Sequence, residues 1–389
     1  MSNNQHLLIT NADILLPSDA WQTGDVQITA GRIAAVGAGA SAEREIDAAG
    51  GYLLPGLIDL HTHGIGMVSV DTGSLQEYAQ LEASRGATTF FPTLFGPPAE
   101  SAAVLERHRR ETDELRLLPQ IGGFRLESPY LARTGAGVSD DLAPITPETT
   151  DLLLRAGGGL IKIWDLSPEL AYAEEAIRYL SDRHVICSLA HTQATIAQAR
   201  AAVEAGARLV THLFDTFVVP EMTEPGAYPA GLVDYLLVED RVACEIIGDG
   251  THVHPLLVEK SFRCKPAGSV VFVTDSNFGA GLAPGVYDLP KWGKAAVAGS
   301  NNGVRMVERD NGLAGSALTP LDALRNAVTL FGQSLATASR LCSTYPARLL
   351  NLNKGEIAVG RDADLILLDR DLNLRTTIGG GKVIWERGQ

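Results

Sequence analysis

The 389-residue sequence has few cysteines, little positive charge and no long hydrophobic run. Its four cysteines are widely separated and form no CxxC pair. We therefore predict neither a disulfide framework nor a zinc site built from cysteines. No apolar run approaches the ~18 residues of a membrane-spanning helix. Because Asn11 and Asp13 also interrupt the first apolar stretch, we predict no signal peptide and expect a soluble, cytoplasmic protein.

Positive charge is scarce relative to negative charge. Lys and Arg number 32 against 46 Asp and Glu, which gives a formal net charge of −14. This balance opposes contact with nucleic-acid phosphates and anionic lipids, so we expect no nucleic-acid or membrane partner and a small-molecule substrate instead. Apolar residues make up 45% of the chain, which excludes the low-hydrophobicity composition of disordered proteins.

The two ends of the chain share one pattern and the middle has another. Residues 7–45 alternate short apolar runs with Gly and Asp turns, and the same pattern returns near the C-terminus. We therefore predict one small β-sandwich domain built from residues 1–52 and 353–389. Residues 53–352 form the second predicted domain.

The middle region alternates strand-like apolar runs with helix-like stretches rich in Ala, Leu, Glu and Arg. We count eight such runs: LLPGLIDLHTH, TTFFPTL, QIGGFRLES, LIKIWDL, VICSLAHT, LVTHLFD, ACEIIGDG and VVFVTD. Eight strand–helix repeats predict an α/β fold of the (β/α)8 TIM-barrel type. The active site of such a barrel lies at the C-terminal ends of its strands.

Residues that can bind metals end many of these runs. The first run ends in an HxH pair, and because side chains alternate along a strand, His61 and His63 point to the same side. The later runs end in Glu127, His191, His212, Asp215, Asp249, His252 and Asp275. Imidazole and carboxylate ligands suit Zn²⁺, Fe²⁺ and Mn²⁺. The sequence therefore predicts a site for one or two divalent metal ions, with Zn²⁺ preferred.

Several of these segments resemble the amidohydrolase superfamily and, within it, the N-acetylglucosamine-6-phosphate deacetylases. PGLIDLHTHG is similar to the strand 1 signature, and GGFRLESPYL, AHTQAT, THLFD, GDGTHVHP and VTD are similar to the motifs of later strands. LAGSALT, which begins at Leu313, also looks like a family segment. The resemblance covers nearly the whole chain. It implies a metal-dependent deacetylase, a homodimer, and the metal ligands His61, His63, Glu127, His191, His212 and Asp275.

The resemblance and elementary chemistry together suggest a mechanism. A metal ion lowers the pKa of bound water towards ~7 and supplies hydroxide to the substrate carbonyl. Asp275 is the implied acid and base, which takes the water proton and delivers it to the leaving amine. His252 is predicted to stabilise the oxyanion together with the metal.

The predicted substrate-binding residues depart from the family pattern. Arg125 and Ser128 stand where the family usually has His and Gly, Asp215 replaces an asparagine, and Thr223 replaces a phosphate-gripping arginine. Arg125 is interpreted as either a displaced anion contact or a structural arginine. The predicted substrate-binding set consists of Arg125, Ser128, Asp215, Thr216, His252 and Leu313.

Three hypotheses for the function remain open. The first is a deacetylase or related amidase that acts on a small N-acylated compound resembling an amino sugar. The second is a lactonase or cyclic-amide hydrolase with the same metal site, and the third is a non-catalytic barrel, which the complete ligand set disfavours. Lys162 is read as the end of strand 4 and is either a carboxylated metal bridge or an ion-pairing lysine. We prefer the ion pair because Glu127 is available as a bridge.

Overall fold

The computed structural model describes residues 6–37, 42–115, 119–135, 142–222, 224–289 and 293–388. In chain order the strands are β1 (His6–Leu15), β2 (Trp21–Thr29), β3 (Arg32–Val36), β4 (Arg44–Asp47), β5 (Tyr52–Pro55), β6 (Leu57–Thr62), β7 (Gly64–Ile65), β8 (Val68–Ser69), β9 (Ala87–Leu94), β10 (Phe124–Leu126), β11 (Ile161–Leu166), β12 (Ile186–Leu189), β13 (Leu209–Val210), β14 (Ala243–Ile247), β15 (Val270–Val273), β16 (Gly285–Leu289), β17 (Gly293–Val297), β18 (Val304–Met306), β19 (Gly312–Leu313), β20 (Leu365–Leu368), β21 (Leu374–Gly379) and β22 (Lys382–Glu386).

The helices follow the barrel strands. They are α1 (Leu75–Ala83), α2 (Pro98–Leu115), α3 (Pro147–Gly157), α4 (Ala173–Ser181), α5 (Ile196–Ala205), α6 (Leu232–Val238), α7 (Pro255–Cys264), α8 (Pro320–Thr329), α9 (Leu335–Ser339) and α10 (Tyr345–Leu349), with a 3-10 helix at Ser300–Asn302 and a π-helical turn at Arg340–Thr344. Local chemistry sets their ends: Thr195 caps α5 by accepting from the Gln198 amide. Gly158 ends α3 in the left-handed region, at φ 56°. Within the described residues, no helix is both long and apolar enough to cross a membrane.

The eight predicted central runs each supply one strand of a parallel sheet. Its order is β15-β14-β13-β12-β11-β10-β9-β6, and its neighbouring strands pair in parallel. The two edges meet where Thr62 pairs with Ser276 and the Asp275 amide donates to the His61 carbonyl oxygen (2.9 Å). The sheet is thus nearly closed, and the prediction of an α/β barrel is confirmed.

Both ends of the chain join in one further sheet, as predicted. Eight strands are hydrogen-bonded in the order β22-β21-β20-β5-β1-β2-β3, with β4 also paired to β1. One set of its buried apolar side chains forms a separate core, which includes Ile9, Ile28 and Leu365, and others such as Leu54 and Ile366 pack with residues of the barrel. Strand β5 pairs with both β1 and β20. Because β5 runs on to Pro55, this sheet extends past the predicted boundary at residue 52.

A small antiparallel sheet follows the last barrel strand. Its order is β16-β17-β18-β19, and the sequence pattern gave no indication of it. Directly after β19 the Asp275 carbonyl oxygen accepts from the Ser316 amide (2.7 Å), and the Asn277 amide donates to the Ser316 carbonyl oxygen (3.0 Å). These bonds fix the segment that begins at Leu313 against the C-terminal end of the barrel.

Candidate metal centre and active site

The six predicted metal ligands converge at the C-terminal end of the barrel. Several lie one or two residues beyond a short buried strand, so the strand ends aim them at a common point. Their places are His61 in β6 and His63 just after it, Glu127 directly after β10, His191 two residues after β12, His212 two residues after β13, and Asp275 two residues after β15. Within each of three groups the ligand atoms all lie within 4.8 Å of one another. The groups are His61, His63 and Glu127; Glu127, His191 and His212; and His212, Asp275 and the neighbouring Asp215.

Glu127 lies between two pairs of histidines. Its Oε2 atom is 3.4 Å from His61 Nε2 and 2.9 Å from His63 Nε2. Its Oε1 atom is 2.9 Å from His191 Nε2 and 3.3 Å from His212 Nε2. Each carboxylate oxygen therefore faces a different pair of imidazoles.

These separations fit metal coordination. Metal–ligand bonds of about 2.0–2.1 Å in tetrahedral geometry place neighbouring ligand atoms roughly 3.3 Å apart. The His61 and His63 Nε2 atoms are 3.2 Å apart, and each is 3.3 Å from Asp275 Oδ1. The residues could hold one ion at His61, His63 and Asp275 and another at His191 and His212, with Glu127 reaching both positions.

Three of these side chains depend on unusual backbone conformations. His191, His212 and Asp275 have positive φ values of 46°, 27° and 47°. Such conformations cost non-glycine residues about 1–3 kcal/mol each and persist where the surroundings enforce them. Here the chain turns sharply after the strand and directs the side chain over the barrel mouth.

The charges at the centre stabilise one another. Burial would lower the pKa of His63, but the carboxylates of Glu127 and Asp275 outweigh it and raise that pKa to about 10. Burial would raise the pKa of Asp275, but His61 and His63 lower it to about 2. The carboxylates are thus ready to bind a cation, and a metal ion has to displace protons from the imidazoles.

A cavity of about 300 Å³ opens onto this centre. Three residues predicted to bind substrate, Asp215, Thr216 and Leu313, line it. The described lining comprises His63, Phe95, Glu127, Thr134, Gly135, His191, His212, Asp215, Thr216, Asp275, Asn277, Leu313, Ala314 and Gly315. Phe95, Thr134 and Asn277 were not predicted. Asn277 and Phe95 had a sequence signal, because Asn277 lies two residues after Asp275 and Phe95 directly follows the second apolar run.

The structure does not bring Arg125, which was predicted to contact substrate, to the cavity. Its side chain is fully buried and pairs with Asp165 (3.0 Å) and Glu245 (2.6 Å) inside the barrel. Arg125 precedes Glu127 by two residues on the same strand, so it shares the inward face but lies deeper. The structural alternative for Arg125 therefore describes it.

Ser128 is also buried away from the cavity. Its hydroxyl accepts from the Gly96 amide (2.8 Å) and donates to the Gly96 carbonyl oxygen (2.9 Å). It joins the segments that follow β9 and β10 and does not belong to the described cavity lining. The structure therefore does not bring Ser128 to the cavity, and its predicted role in substrate binding stays a prediction.

Lys162 lies at the opposite end of the barrel from the metal ligands. It is the second residue of β11, not the last, and its ammonium donates to the Gly159 carbonyl oxygen (3.0 Å). Within the described residues Lys162 forms no ion pair, and its distance from the candidate metal ligands does not fit the bridging role. Thr223 lies outside the described residues.

His252 lies close to the centre without lining the cavity. Its side chain is 2% exposed, and Nδ1 is 2.8 Å from Asp249 Oδ2. Burial would lower the pKa of His252, but the hydrogen bond to Asp249 and the charges of Asp249, Asp215 and Asp275 raise it. Its catalytic role stays a prediction.

Comparison with known proteins places this site in a family. Residues 52–384 match the model described as "Amidohydrolase family". The N-acetylglucosamine-6-phosphate deacetylase of Bacillus subtilis (strain 168) is 31% identical over 97% of both chains, and the N-acetylgalactosamine-6-phosphate deacetylase of Escherichia coli O157:H7 is 30% identical over 98% of both. The solved N-acetyl-D-glucosamine-6-phosphate deacetylase of Mycobacterium smegmatis has a TM-score of 0.85 at 30% identity, covering 97% of this chain and 100% of that one. This chain therefore belongs to the amidohydrolase family.

Proposed function

We propose that this chain is a metal-dependent amidohydrolase that removes the acyl group from a small N-acylated substrate resembling an amino sugar. The observation that carries the proposal is Glu127 between two histidine pairs, with Asp275 beside it at the floor of the cavity. The names of the relatives, which are deacetylases of phosphorylated amino sugars, support the same chemistry. We also propose a cytoplasmic homodimer, on the basis of the family resemblance.

We propose that the centre takes two divalent ions that share Glu127. Zn²⁺ is preferred, and Fe²⁺ or Mn²⁺ suits the same ligands. A bound divalent ion would lower the pKa of a water molecule towards ~7 and polarise the amide carbonyl. The protein residues then manage protons and charge around the amide.

Asp275 is the proposed proton carrier. It lines the cavity, and its depressed pKa keeps it ionised at neutral pH, so it can accept a proton from the attacking water. The protonated Asp275 would then donate to the nitrogen of the leaving amine. Without that proton the amine is a poor leaving group.

His252 is the proposed partner of the oxyanion. The Asp249 carboxylate holds Nδ1, which leaves the Nε2 edge of the ring to donate to substrate. Because Asp249 raises the pKa of His252, the imidazole keeps its proton to higher pH than a free histidine.

Replacing Asp249 with Asn is expected to move the alkaline limb of the kcat/KM profile to lower pH. The substitution removes the negative charge that raises the pKa of His252, so the imidazole would lose its proton earlier as pH rises. A pH series on wild type and Asp249→Asn measures the shift, and His252→Gln identifies the limb by removing it. An alkaline limb that stays in place in Asp249→Asn would contradict this role for His252.

The charge of the cavity bears on the substrate. Apart from the proposed metal ligands, its described lining carries the carboxylate of Asp215 and no Lys or Arg side chain. Phosphate recognition usually relies on a guanidinium or ammonium group. We therefore propose that the preferred substrate has no phosphate, in contrast to the substrates in the relatives' names.

We expect N-acetylglucosamine to exceed N-acetylglucosamine 6-phosphate in kcat/KM by about tenfold or more, corresponding to roughly 1.4 kcal/mol, because the described lining offers the phosphate no Lys or Arg and Asp215 repels it. Amine release from both sugars by the zinc-loaded protein measures the ratio. Asp215→Asn is the matched variant, and it should raise the activity on the phosphorylated sugar. A clear preference of the wild type for the phosphorylated sugar would contradict the proposal. It would indicate a cation from outside the described lining or from a second copy.

A further inference from the structure

A cluster of buried charges lies in the barrel interior directly beneath the candidate metal centre. Arg125, Asp165 and Glu245 project inward from β10, β11 and β14, and each is 0% exposed. The Arg125 Nε and Nη2 atoms donate to the two Asp165 oxygens at 3.1 and 3.0 Å. Its Nη1 and Nη2 atoms donate to the two Glu245 oxygens at 2.6 and 2.9 Å. The guanidinium thus holds both carboxylates in fixed positions.

The cluster contains one more negative charge than positive charge. Two carboxylates share a single guanidinium, whose Nη1 atom also donates to the Leu60 carbonyl oxygen (3.1 Å) and whose Nη2 atom donates to Thr211 Oγ1 (3.0 Å). An uncompensated charge is costly in an interior that excludes water. The excess charge is most stable next to a cation.

His61 connects this cluster to the metal centre. Its Nδ1 atom is 3.8 Å from Glu245 Oε2, and its Nε2 atom faces Glu127 and Asp275. Within the described residues, His61 Nδ1 is buried and has no hydrogen-bond partner. A histidine that binds a metal through Nε2 carries its proton on Nδ1 and nearly always donates it to a carboxylate or carbonyl group. Glu245 is the carboxylate in place for that proton, after a shift of about 0.6–0.9 Å to hydrogen-bonding distance.

The two proposed metal positions differ in the groups that face the Nδ1 atoms of their histidines. At the His61 position, His63 Nδ1 already lies 3.0 Å from the Thr93 carbonyl oxygen, and Glu245 lies below His61. At the other position, His191 Nδ1 and His212 Nδ1 have no hydrogen-bond partner among the described residues. The buried negative charge is therefore placed specifically under the His61 and His63 position.

We infer that Glu245, held in place by Arg125, is a positioning residue that strengthens metal binding at the position formed by His61 and His63. It accepts the Nδ1 proton of His61 and supplies negative charge close to that ion. This inference rests on the two-metal centre of the proposed function. It also explains why an arginine occupies a site so close to metal ligands, since Arg125 fixes the position of Glu245.

The test is a zinc count on the full chain with Glu245→Gln. The variant keeps the shape of the side chain, and Arg125 stays paired with Asp165. Each protein is loaded with excess Zn²⁺, desalted and measured by elemental mass spectrometry, and the weaker site is titrated with zinc buffers. We expect two ions per chain in the wild type. In Glu245→Gln we expect the affinity of one site to fall by about 10–100-fold while the other is unchanged.

Asp165→Asn is the matched control. It removes the same charge from the same cluster, but Asp165 is not in ion-pair contact with His61, so it should keep both ions. Equal zinc loss in both variants would overturn the inference, because it would reflect general damage to the barrel interior. Two unchanged sites in Glu245→Gln would overturn it as well. A wild type that holds fewer than two ions would instead contradict the two-metal centre itself.

Glu245→Asp covers the case in which the Gln variant does not fold. It keeps the charge next to Arg125 but withdraws the carboxylate from His61 by one methylene. The weaker site should again lose affinity, and circular dichroism of the metal-free protein checks the fold. Unchanged zinc affinity in a folded Glu245→Asp protein would overturn the inference.

Discussion

Replacing Asp275 with Asn is expected to lower kcat for amide hydrolysis by about 10²–10⁴-fold, the range typical of a lost general acid or base. The Asn side chain keeps an oxygen near His61 and His63, from which Asp275 Oδ1 is 3.3 Å. It cannot accept the water proton or return it to the amine. Steady-state amine release measures kcat, and a zinc count on the same sample shows that the metal is retained.

Asp215→Asn is the control for the Asp275 variant. Asp215 lines the same cavity and belongs to the same group of ligand atoms as His212 and Asp275, so the change in local charge is similar. We expect its kcat to stay within about tenfold of wild type. If Asp275→Asn kept a comparable kcat with full zinc content, Asp275 would not be the proton carrier. If only Asp215→Asn lost activity, the role would belong to Asp215.

The barrel could be predicted because its strands are buried on both faces. Such strands appear as continuous apolar runs, and all eight residues of β9 are buried. The convergence of the candidate metal ligands could be predicted because these residues lie at the ends of the runs, where a barrel places its chemistry. The HxH spacing also predicted that His61 and His63 point to the same side, and their Nε2 atoms lie 3.2 Å apart.

Depth within the barrel could not be predicted from the sequence. Arg125 and Glu127 share one face of a strand, but only Glu127 reaches the cavity. The partners that hold Arg125 in the interior are Asp165, 40 residues away, and Glu245, 120 residues away. No local pattern links residues so far apart, so an arginine near the motif was open to interpretation as an anion contact.

Strand ends were a second source of error. The run LIKIWDL indicates a strand but not where it begins, and Lys162 is at its start. The alternation of side chains shows which face of the strand Lys162 occupies, but not which end of the barrel it lies at. Only the C-terminal end carries the candidate metal ligands. The loop residue Thr134 belongs to no regular pattern, and only the folded chain brings it to the cavity.

The interior of the barrel is arranged in layers along its axis. Arg125, Asp165 and Glu245 form the lower layer, and His61 and Glu127 belong to the layer above. The cavity with Asp215 and Leu313 lies over both. Because Glu245 is the lower-layer carboxylate that lies beneath His61, its substitution is expected to alter metal binding before it alters substrate binding.

Glu127→Gln is expected to weaken zinc binding at both positions by at least about 100-fold and to lower kcat/KM by roughly 10³-fold or more. Gln has no charge and only one oxygen, whereas Glu127 presents one oxygen to His63 (2.9 Å) and the other to His191 (2.9 Å). The expected loss of affinity exceeds the 10–100-fold typical of removing a group that merely hydrogen-bonds a ligand. Zinc titration and amine release at fixed free zinc measure the two effects.

Comparison with Glu245→Gln makes the Glu127 result specific. Substitution of a bridging ligand should weaken the binding of both ions, whereas substitution of the residue beneath His61 should weaken the binding of one. Both variants replace a buried carboxylate by its amide, so differences in size and net charge cancel between them. If Glu127→Gln lost only the ion at His191 and His212, Glu127 would serve a single position. The site at His61, His63 and Asp275 would then bind its metal independently, and the sharing of one carboxylate by two ions would be wrong.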